Sequence, residues 1–220
     1  MSEVIPFEEI STCDLRRGWI YEAGTAGNFG DEPMHHLLKV GNQGGIRFAG
    51  PSEQPRLVAL LSTLAHADWP DTIDQERGLV RYHGDNRLVA DRVDEPKGNR
   101  MLRSVFARGF ATEKSRHACP PFFVFSVAGE PGLPKRSQRF EGVAVPGAPD
   151  MPAEDWLLGK WYERVRGRFE NYLLTLTLLD AEVVTRRWID ELHAGESTGL
   201  SAPAAFQRWV TVGYASDGER

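Results

Sequence analysis

The stretch from 69 to 99 combines aromatic rings and carboxylates with few aliphatic side chains, and it reads WPDTIDQERGLVRYHGDNRLVADRVDEPKGN. A fold needs aliphatic residues for its core, so this composition is more typical of a binding surface. Carboxylate oxygens accept hydrogen bonds, and aromatic faces stack against planar groups. We therefore predict a pocket here, and its candidate residues are Trp69, Asp71, Asp74, Tyr82 and Asp85.

Each of these residues also has an ordinary structural interpretation. Trp69 fits a core aromatic, and the aspartates fit caps of turns. Asp85 and Asn86 lie in HGDNR, where short polar side chains usually bond their own backbone. Arg87 is better suited to meet a phosphate. The sequence alone leaves both interpretations open for the pocket.

The charge of the chain is unevenly distributed. A net charge of -5 over 220 residues argues mildly against a nucleic-acid partner. Residues 97–117, however, carry Lys and Arg six times against a single Glu, and 160–168 is a second basic run. Local charge is what meets a phosphate backbone. We therefore keep nucleic acid as a candidate partner.

Several kinds of protein do not fit this sequence. Its longest apolar runs, 57–61 and 173–179, are far shorter than the roughly 20 residues that span a bilayer. The N-terminus is acidic without an apolar h-region, so we expect no secretory signal, no membrane partner and a cytoplasmic location. Cys13 and Cys119 lack metal-ligand spacing, and the adjacent histidines of PMHHLL point about 100° apart on a helix. We expect no metal and no cofactor.

The pattern of apolar residues predicts strands mixed with short helices. The apolar run 56–64 could be a helix or a strand, because its length is compatible with both. We predict strands at 19–21, 46–49, 56–64, a segment ending at 82, 120–129, 139–145 and 169–180, the last with both faces buried. Helices are predicted within 31–40, capped by Asp31 and stopping at Gly41, at 99–106, and in two C-terminal segments ending at Gly195 and near Gly213.

Polar residues near these elements are candidates to contact a nucleic acid. Asn42 and Gln43 lie among glycines, which let a backbone approach a ligand closely, although a plain hairpin turn is the alternative. The helix at 99–106 has one apolar and one basic face. The loop before 139 has the length and charge of a DNA-contacting finger, or of a solvated hairpin tip. The candidates are Asn42, Gln43, Arg47, Asn86, Arg87, Asn99, Arg100, Arg103, Lys135 and Arg136.

The proline- and glycine-rich segment 146–155 is the clearest linker or long connection in the chain. We predict an N-terminal lead-in over 1–23, a main domain over 24–195 and a C-terminal helical extension over 196–220.

A family resemblance adds to this interpretation. At VRYHGDN, at the Gly-Asn pair before the basic helix, at PPFFVF and at RFEGVAVPG, the chain resembles the N-terminal domain of AspBHI-type, MspJI-family modification-dependent restriction endonucleases. The resemblance runs from about Gly24 to Gly195. It implies an α+β fold, the SRA-like (SET and RING associated, PUA-like) curved β-barrel sheet with flanking helices, and makes a strand at 56–64 preferable. It also implies double-stranded DNA as partner, with a nuclease domain or subunit elsewhere.

Such domains flip a modified cytosine, 5-methylcytosine or 5-hydroxymethylcytosine, out of the duplex, with two loops in the grooves. A flipped cytosine offers one amino donor and two acceptors, so its pocket needs a carboxylate and aromatic faces. Trp69 and Tyr82 would stack, and Asp71 or Asp74 would accept from the amino group. The resemblance favours Asp71, since it places an aspartate about this far before a tyrosine. It also implies that Gln43 pairs with the orphaned guanine.

An enzyme interpretation is the main alternative. Asp71 follows a proline, and Glu95-Pro96-Lys97 comes later in the chain. Together these residues formally fit the PD-(D/E)xK pattern of Mg²⁺-dependent nucleases. In that pattern the second carboxylate and the lysine share a strand, which Pro96 disfavours. We expect no catalytic residue in this chain, with the nuclease and a protein-interaction domain of similar fold as alternatives.

Overall fold

The structure, a computed structural model, describes residues 3–65, 69–88, 92–165 and 167–214. Within them it forms short and long β-strands in the following order: β1 Val4–Ile5, β2 Leu15–Arg16, β3 Ile20–Tyr21, β4 Ile46–Ala49, β5 Leu57–Ser62, β6 Thr72–Asp74, β7 Leu79–His83, β8 Phe122–Val127, β9 Gln138–Pro146, β10 Leu157–Arg164, β11 Gly167–Leu178 and β12 Val183–Val184.

The helices are short and lie around this sheet. They are α1 Pro33–Leu38, α2 Lys97–Phe106, α3 Glu113–His117, α4 Arg186–Ala194 and α5 Ala204–Val212, with 3-10 turns at Phe7–Glu9, Phe29–Asp31 and Ala153–Asp155.

One large sheet organises the fold. Its strands run in the order β4-β5-β8-β9-β11-β7-β6, with β3 beside β9, β1 beside β3 and β10 beside β11. The two ends of this order approach each other. The Tyr82 hydroxyl of β7 donates to the Leu61 carbonyl of β5 at 3.0 Å, and the Ser62 hydroxyl at the end of β5 donates to Asp71, just before β6, at 2.6 Å. The sheet therefore curls into a barrel-like shape.

The long strand β11 confirms the clearest strand prediction. Its residues Leu173 to Leu176 are all buried, because β7 pairs with them on one side and β9 pairs with the strand's end on the other. The strand starts at Gly167, before the predicted boundary, and its first half pairs with β10 alone. We did not predict β10. Its polar, half-exposed sequence was interpreted as a basic run, and only its partner makes it a strand.

The terminal segments share the core with the middle of the chain. Trp188 of α4 is fully buried, with its ring centroid 5.9 Å from that of Phe123 in β8, and Phe206 and Trp209 of α5 are buried beside it. At the other end of the chain, β3 pairs with β9. The predicted boundaries at 23 and 195 therefore separate segments that fold around one hydrophobic core.

The first helix corrects two details of the prediction. Asp31 does not cap α1, because its carboxylate accepts from the backbone of Asn28 and closes the capping box of a 3-10 turn. Glu32 occupies the N-cap position instead. The helix also ends before Gly41, at Lys39, which adopts the left-handed conformation with φ 51°.

Candidate functional site

A recess opens where β5, the start of β6 and the end of β7 meet. It is small, with a volume of about 40 Å³, and nine residues line it: Leu61, Thr63, Trp69, Asp71, Tyr82, His83, Gly84, Asp85 and Arg87. The structure thus brings together four of the five predicted pocket residues, together with Arg87. Thr63 and His83 are lining residues that sequence reasoning did not select.

Asp71 is the carboxylate held most firmly in the recess. Its side chain is 11% exposed. The Ser62 hydroxyl donates to Oδ2 at 2.6 Å, the His83 backbone N–H donates to Oδ1 at 2.8 Å, and the His83 ring Nδ1 lies 3.1 Å from the same oxygen. A carboxylate offers about four acceptor positions, and the Ser62 hydroxyl and the His83 N–H use two of them. Acceptor capacity therefore remains for a ligand.

Asp74 lies outside the recess and has a structural role. Its Oδ1 accepts from the Arg77 backbone N–H at 2.9 Å, in the tight turn between β6 and β7, and its Oδ2 lies 3.7 Å from Arg77 Nε. This is the turn-capping role that aspartate often takes. The structure therefore favours Asp71 over Asp74 as the carboxylate available to a ligand.

Aromatic rings form one wall of the recess. Trp69 packs edge-on against Phe169 and Tyr162, with centroids 5.5 and 6.1 Å away, and Tyr162 also contacts His83 at 5.4 Å. The guanidinium of Arg164 lies 4.5 Å above the Trp69 ring. Tyr162, Phe169 and Arg164 belong to the β10–β11 hairpin, far from Trp69 in sequence. No local signal in the sequence reveals this contact.

Tyr82 connects the recess to the glycine loop before β4. Burial raises the pKa of its phenol well above the usual value, and the nearby Asp71 and Asp85 charges act in the same direction, so the hydroxyl stays protonated. A Cβ atom at Gly45 would lie 2.5 Å from the Tyr82 hydroxyl oxygen. Only glycine allows this approach, which places the loop of Gln43 beside the recess.

The predicted contact residues of that loop divide into buried and accessible groups. Arg47 is buried and pairs with Glu32 through its two terminal guanidinium nitrogens. It also donates to the carbonyls of Gly44 at 2.8 Å and Gly41 at 3.2 Å. The prediction that Arg47 contacts DNA is thus corrected: it holds the loop from inside. Asn42 is half-buried, and Gln43 is exposed.

Asn86 and Asn99 require the same correction. Both are fully buried and form a network with Asn171 of β11. Asn99 Oδ1 accepts from the Asp85 N–H at 2.7 Å, and its Nδ2 donates to Asn171 Oδ1 at 3.0 Å. The Asn86 amide donates to the Glu170 carbonyl at 2.7 Å. These amides fix the loop after β7 and leave no surface to meet DNA.

Asp85 belongs to this loop, and partial burial raises the pKa of its carboxyl from 3.8 to about 6. The positive charges of Arg87 and Arg47 and a hydrogen bond from the Ile46 backbone oppose the shift without cancelling it. Gly98, at the start of α2, packs so closely on the carboxylate that a Cβ atom would collide with it. Asp85 therefore joins three segments: β4, the loop after β7 and α2.

The remaining predicted contacts lie on the surface. Arg87, Arg100 and Lys135 are exposed, and Arg103 is largely exposed although it pairs with Asp94. Arg136 stacks over Phe29 at 4.5 Å. The loop of Lys135 and Arg136 is also tied down at its end, where Ser137 accepts from the Ala23 N–H at 3.0 Å.

The geometry does not match the nuclease pattern. Glu95 precedes the N-cap of α2 and Lys97 begins that helix, with its ammonium 4.9 Å over the Phe48 ring, so the two do not share a strand. Among the residues that the structure describes, no group of three His, Cys, Asp or Glu side chains is placed to hold a metal ion. No described helix is long and apolar enough to cross a membrane.

Comparisons with solved structures reveal similar folds. The "DNA recognition domain of the cytosine modification-dependent restriction endonuclease LpnPI" matches with a TM-score of 0.85 and 30% identity, covering 98% of both chains. The "DNA modification-dependent restriction endonuclease AspBHI" matches with a TM-score of 0.85 and 34% identity, over 96% of this chain and 53% of that one. The MspJI restriction endonuclease, solved with a 27-mer oligonucleotide, has the same fold, with a TM-score of 0.67 and 24% identity over 92% of this chain and 52% of its own.

The chain thus spans about half the length of AspBHI and MspJI. A search of curated proteins found no match. The matches confirm the α+β, SRA-like fold class. The family model described as "Restriction endonuclease AspBHI N-terminal" matches residues 15–217, and the chain belongs to this family.

Proposed function

We propose that this chain recognises a modified cytosine in double-stranded DNA, as the recognition part of a modification-dependent restriction system in the cytoplasm. The observation that carries the proposal is the recess in which Asp71, held by the Ser62 hydroxyl and the His83 backbone N–H, keeps acceptor capacity beside an aromatic wall. Two proteins similar over nearly the whole of this chain support it: the DNA recognition domain of the cytosine modification-dependent restriction endonuclease LpnPI and the DNA modification-dependent restriction endonuclease AspBHI.

The recess suits the hydrogen bonding of a flipped cytosine. The exocyclic amino group of the base would donate to the free acceptor position of Asp71. The rings of Trp69, Tyr82 and His83 would enclose its faces, and Leu61 and Thr63 offer apolar contact to a group on C5. This assignment retains Trp69, Asp71 and Tyr82 and leaves Asp74 in its turn.

The surroundings of the recess suit a duplex. Gln43 projects from a glycine loop that reaches the recess through Gly45, so its amide can pair with the guanine left behind. Arg87 lies at the recess itself, and Arg100 and Arg103 are exposed on α2. These cations would bind phosphates, which gives affinity but no sequence information.

Cleavage would come from a nuclease domain or subunit outside this domain, since AspBHI is about twice as long as the matched region. The alternative, a Mg²⁺-dependent nuclease within the chain, requires cleavage that disappears in Asp71→Ala and Lys97→Ala.

A gel-shift series tests the proposal. Three duplexes of one sequence carry cytosine, 5-methylcytosine or 5-hydroxymethylcytosine at one position. We expect at least one modified duplex to bind more tightly than the unmodified duplex. Equal binding of all three at moderate salt would contradict the proposal, and absence of binding even at low salt would favour a protein-interaction domain.

A further inference from the structure

A buried ion pair contacts the loop that carries Gln43. The side chains of Arg47 in β4 and of Glu32, the N-cap residue of α1, are each 5% exposed. Both terminal nitrogens of the Arg47 guanidinium donate to the Glu32 carboxylate, one of them at 2.6 Å. A bidentate pair of this kind holds the guanidinium in one orientation.

The same guanidinium binds the backbone of the loop on both sides of Gln43. Arg47 Nε donates to the Gly44 carbonyl at 2.8 Å, and Nη1 donates to the Gly41 carbonyl at 3.2 Å. Gly44 has φ 84°, a conformation that favours glycine. A glycine-rich segment loses much conformational freedom when it is ordered, so its position depends on contacts such as these.

The ion pair is in turn fixed to the body of the fold. Gln138, the first residue of β9, donates from its side-chain amide to Glu32 Oε1 at 2.7 Å. The Gln138 amide oxygen accepts from the Met34 N–H of α1 at 3.0 Å. The loop is therefore held against the main sheet and the first helix through Glu32.

The loop also reaches the recess directly. The Gly45 carbonyl accepts from the Leu61 N–H at 2.8 Å, and Leu61 lines the recess. Arg47 thus fixes the first part of the loop, and Leu61 fixes its end beside the site. Gln43 lies between these contacts and is exposed.

Stability alone does not account for a charged pair at this position. The cost of desolvating two buried charges is often as large as their attraction, and well-packed apolar residues in their place are often equally stable. What the charged pair adds here is direction, since its donors reach the two carbonyls that flank the Asn42-Gln43 segment.

We infer that Arg47 is a positioning residue, which holds Gln43 where the extruded cytosine leaves its guanine, and that Glu32 orients Arg47 for this role. The inference rests on the proposed function, in which Gln43 pairs with that guanine. Arginine suits the role because its planar fork carries five N–H donors, which serve a carboxylate and two carbonyls together. A lysine ammonium is a single point with three donors.

The test compares Arg47→Lys with the wild type on two duplexes. In one, 5-methylcytosine is paired with guanine; in the other, it faces an abasic site, so Gln43 has no guanine to pair with. Lysine keeps a positive charge beside Glu32 but cannot also bind both carbonyls. We expect about tenfold weaker binding of the paired duplex and wild-type binding of the abasic duplex. An equal loss on both duplexes, or no loss on the paired one, would overturn the inference.

A double variant tests whether Arg47 acts through Gln43. Gln43→Ala combined with Arg47→Lys should bind the paired duplex no more weakly than Gln43→Ala alone, whereas losses that add would contradict the inference. If Arg47→Lys does not fold, Arg47→Met combined with Glu32→Gln replaces it in both experiments. This variant removes both charges together, keeps an acceptor for Gln138, and should give the same pattern.

Arg116→Lys is the matched control. Arg116 is also buried, and its guanidinium donates to four backbone carbonyls, those of Phe110, Ala111, Val210 and Thr211, none of which lines the recess. Arg116→Lys should lower the melting temperature but bind both duplexes as the wild type does; a loss on the paired duplex alone would contradict the inference.

The wild-type preference for modified DNA, measured in the same titrations, tests the proposed function separately. If that preference is present and Arg47→Lys binds the paired duplex as the wild type does, only the positioning role is rejected. If the preference is absent, the proposed function fails with it.

Discussion

Two carboxylates in one recess have different environments, and the difference assigns their roles. Asp71 is held by the Ser62 hydroxyl and the His83 backbone N–H, which fix the direction of its carboxylate oxygens. Asp85 is half-buried in the loop after β7, and desolvation raises the pKa of its carboxyl. Asp71 is thus suited to read a donor on a base, whereas Asp85 is suited to hold segments of the fold together.

Asp71→Asn should weaken binding to the 5-methylcytosine duplex about 5- to 150-fold, the equivalent of roughly 1–3 kcal/mol for an unmet buried donor. The asparagine presents a donor where the carboxylate accepted. The variant should therefore also show a smaller preference for a duplex with 5-methylcytosine opposite guanine over a duplex with thymine opposite guanine. Fluorescence titration measures both effects. Asp74→Asn is the control and should change neither; the reverse result would reassign the base-reading carboxylate to Asp74.

Asp85→Asn should make the protein more stable at neutral pH. The folded-state pKa of about 6 exceeds the ordinary value of 3.8, so the contribution of the protonated acid is complete below about pH 4 and is lost as the pH rises through 6. At pH 7.5 the variant should gain up to about 2–3 kcal/mol, and the gain should shrink as the pH falls toward 4. Urea unfolding at several pH values measures this, and a pH-independent difference would contradict it.

At the scale of elements, buried asparagines decide the shape of the loop after β7. The sequence indicated correctly that HGDNR forms a polar turn beside a strand, and it brought Asp71, Tyr82 and Asp85 into one predicted pocket. It did not reveal that Asn86 and Asn99 point inward, because their partner Asn171 lies in β11, about 70–85 residues away. The residue type is the same for a surface contact and for a buried amide, and burial depends on tertiary pairing.

A comparison of Asn99→Ala with Gln43→Ala distinguishes a residue that stabilises the fold from one that contacts DNA. Asn99→Ala removes the acceptor of the Asp85 N–H and one donor to Asn171, and it should cost about 1–3 kcal/mol of stability. Gln43→Ala should leave the melting temperature unchanged and weaken binding to the modified duplex. Thermal unfolding and titration of both variants provide the measurements. An unchanged melting temperature for Asn99→Ala would show that the network is not structural.

The prediction of strands and helices was correct where the segment has its own pattern of apolar residues, as in β11 and α2. The prediction missed β10, because an exposed edge strand has no buried face to produce a pattern. Tyr162 was therefore absent from the predicted site although it contacts Trp69.

For the molecule as a whole, a net charge of -5 coexists with a surface that suits DNA. Arg100 and Arg103 of α2 are exposed, although Asp94 offsets part of the charge of Arg103. The total charge of the chain is therefore a poor guide to its partner, since a phosphate backbone responds to charges within about a Debye length, roughly 8–10 Å.

Arg103→Ala should weaken binding to modified and unmodified duplexes by the same factor and reduce the slope of log affinity against log salt by about 0.9. Titrations over a range of salt concentrations provide the slope. Arg208→Ala, which removes an exposed arginine from α5, is the control and should leave the slope unchanged. If Arg103→Ala instead changed the ratio between the two duplexes, Arg103 would be reading a base.

The central claim is that the recess, and not the basic surface, distinguishes modified from unmodified cytosine. The most direct measurement is the ratio of wild-type affinities for the 5-methylcytosine and cytosine duplexes at two salt concentrations. Both affinities should fall as salt rises, while the ratio stays constant at about fourfold or more, since one buried methyl is worth about 0.8 kcal/mol. A ratio near one at both salt concentrations would contradict the claim.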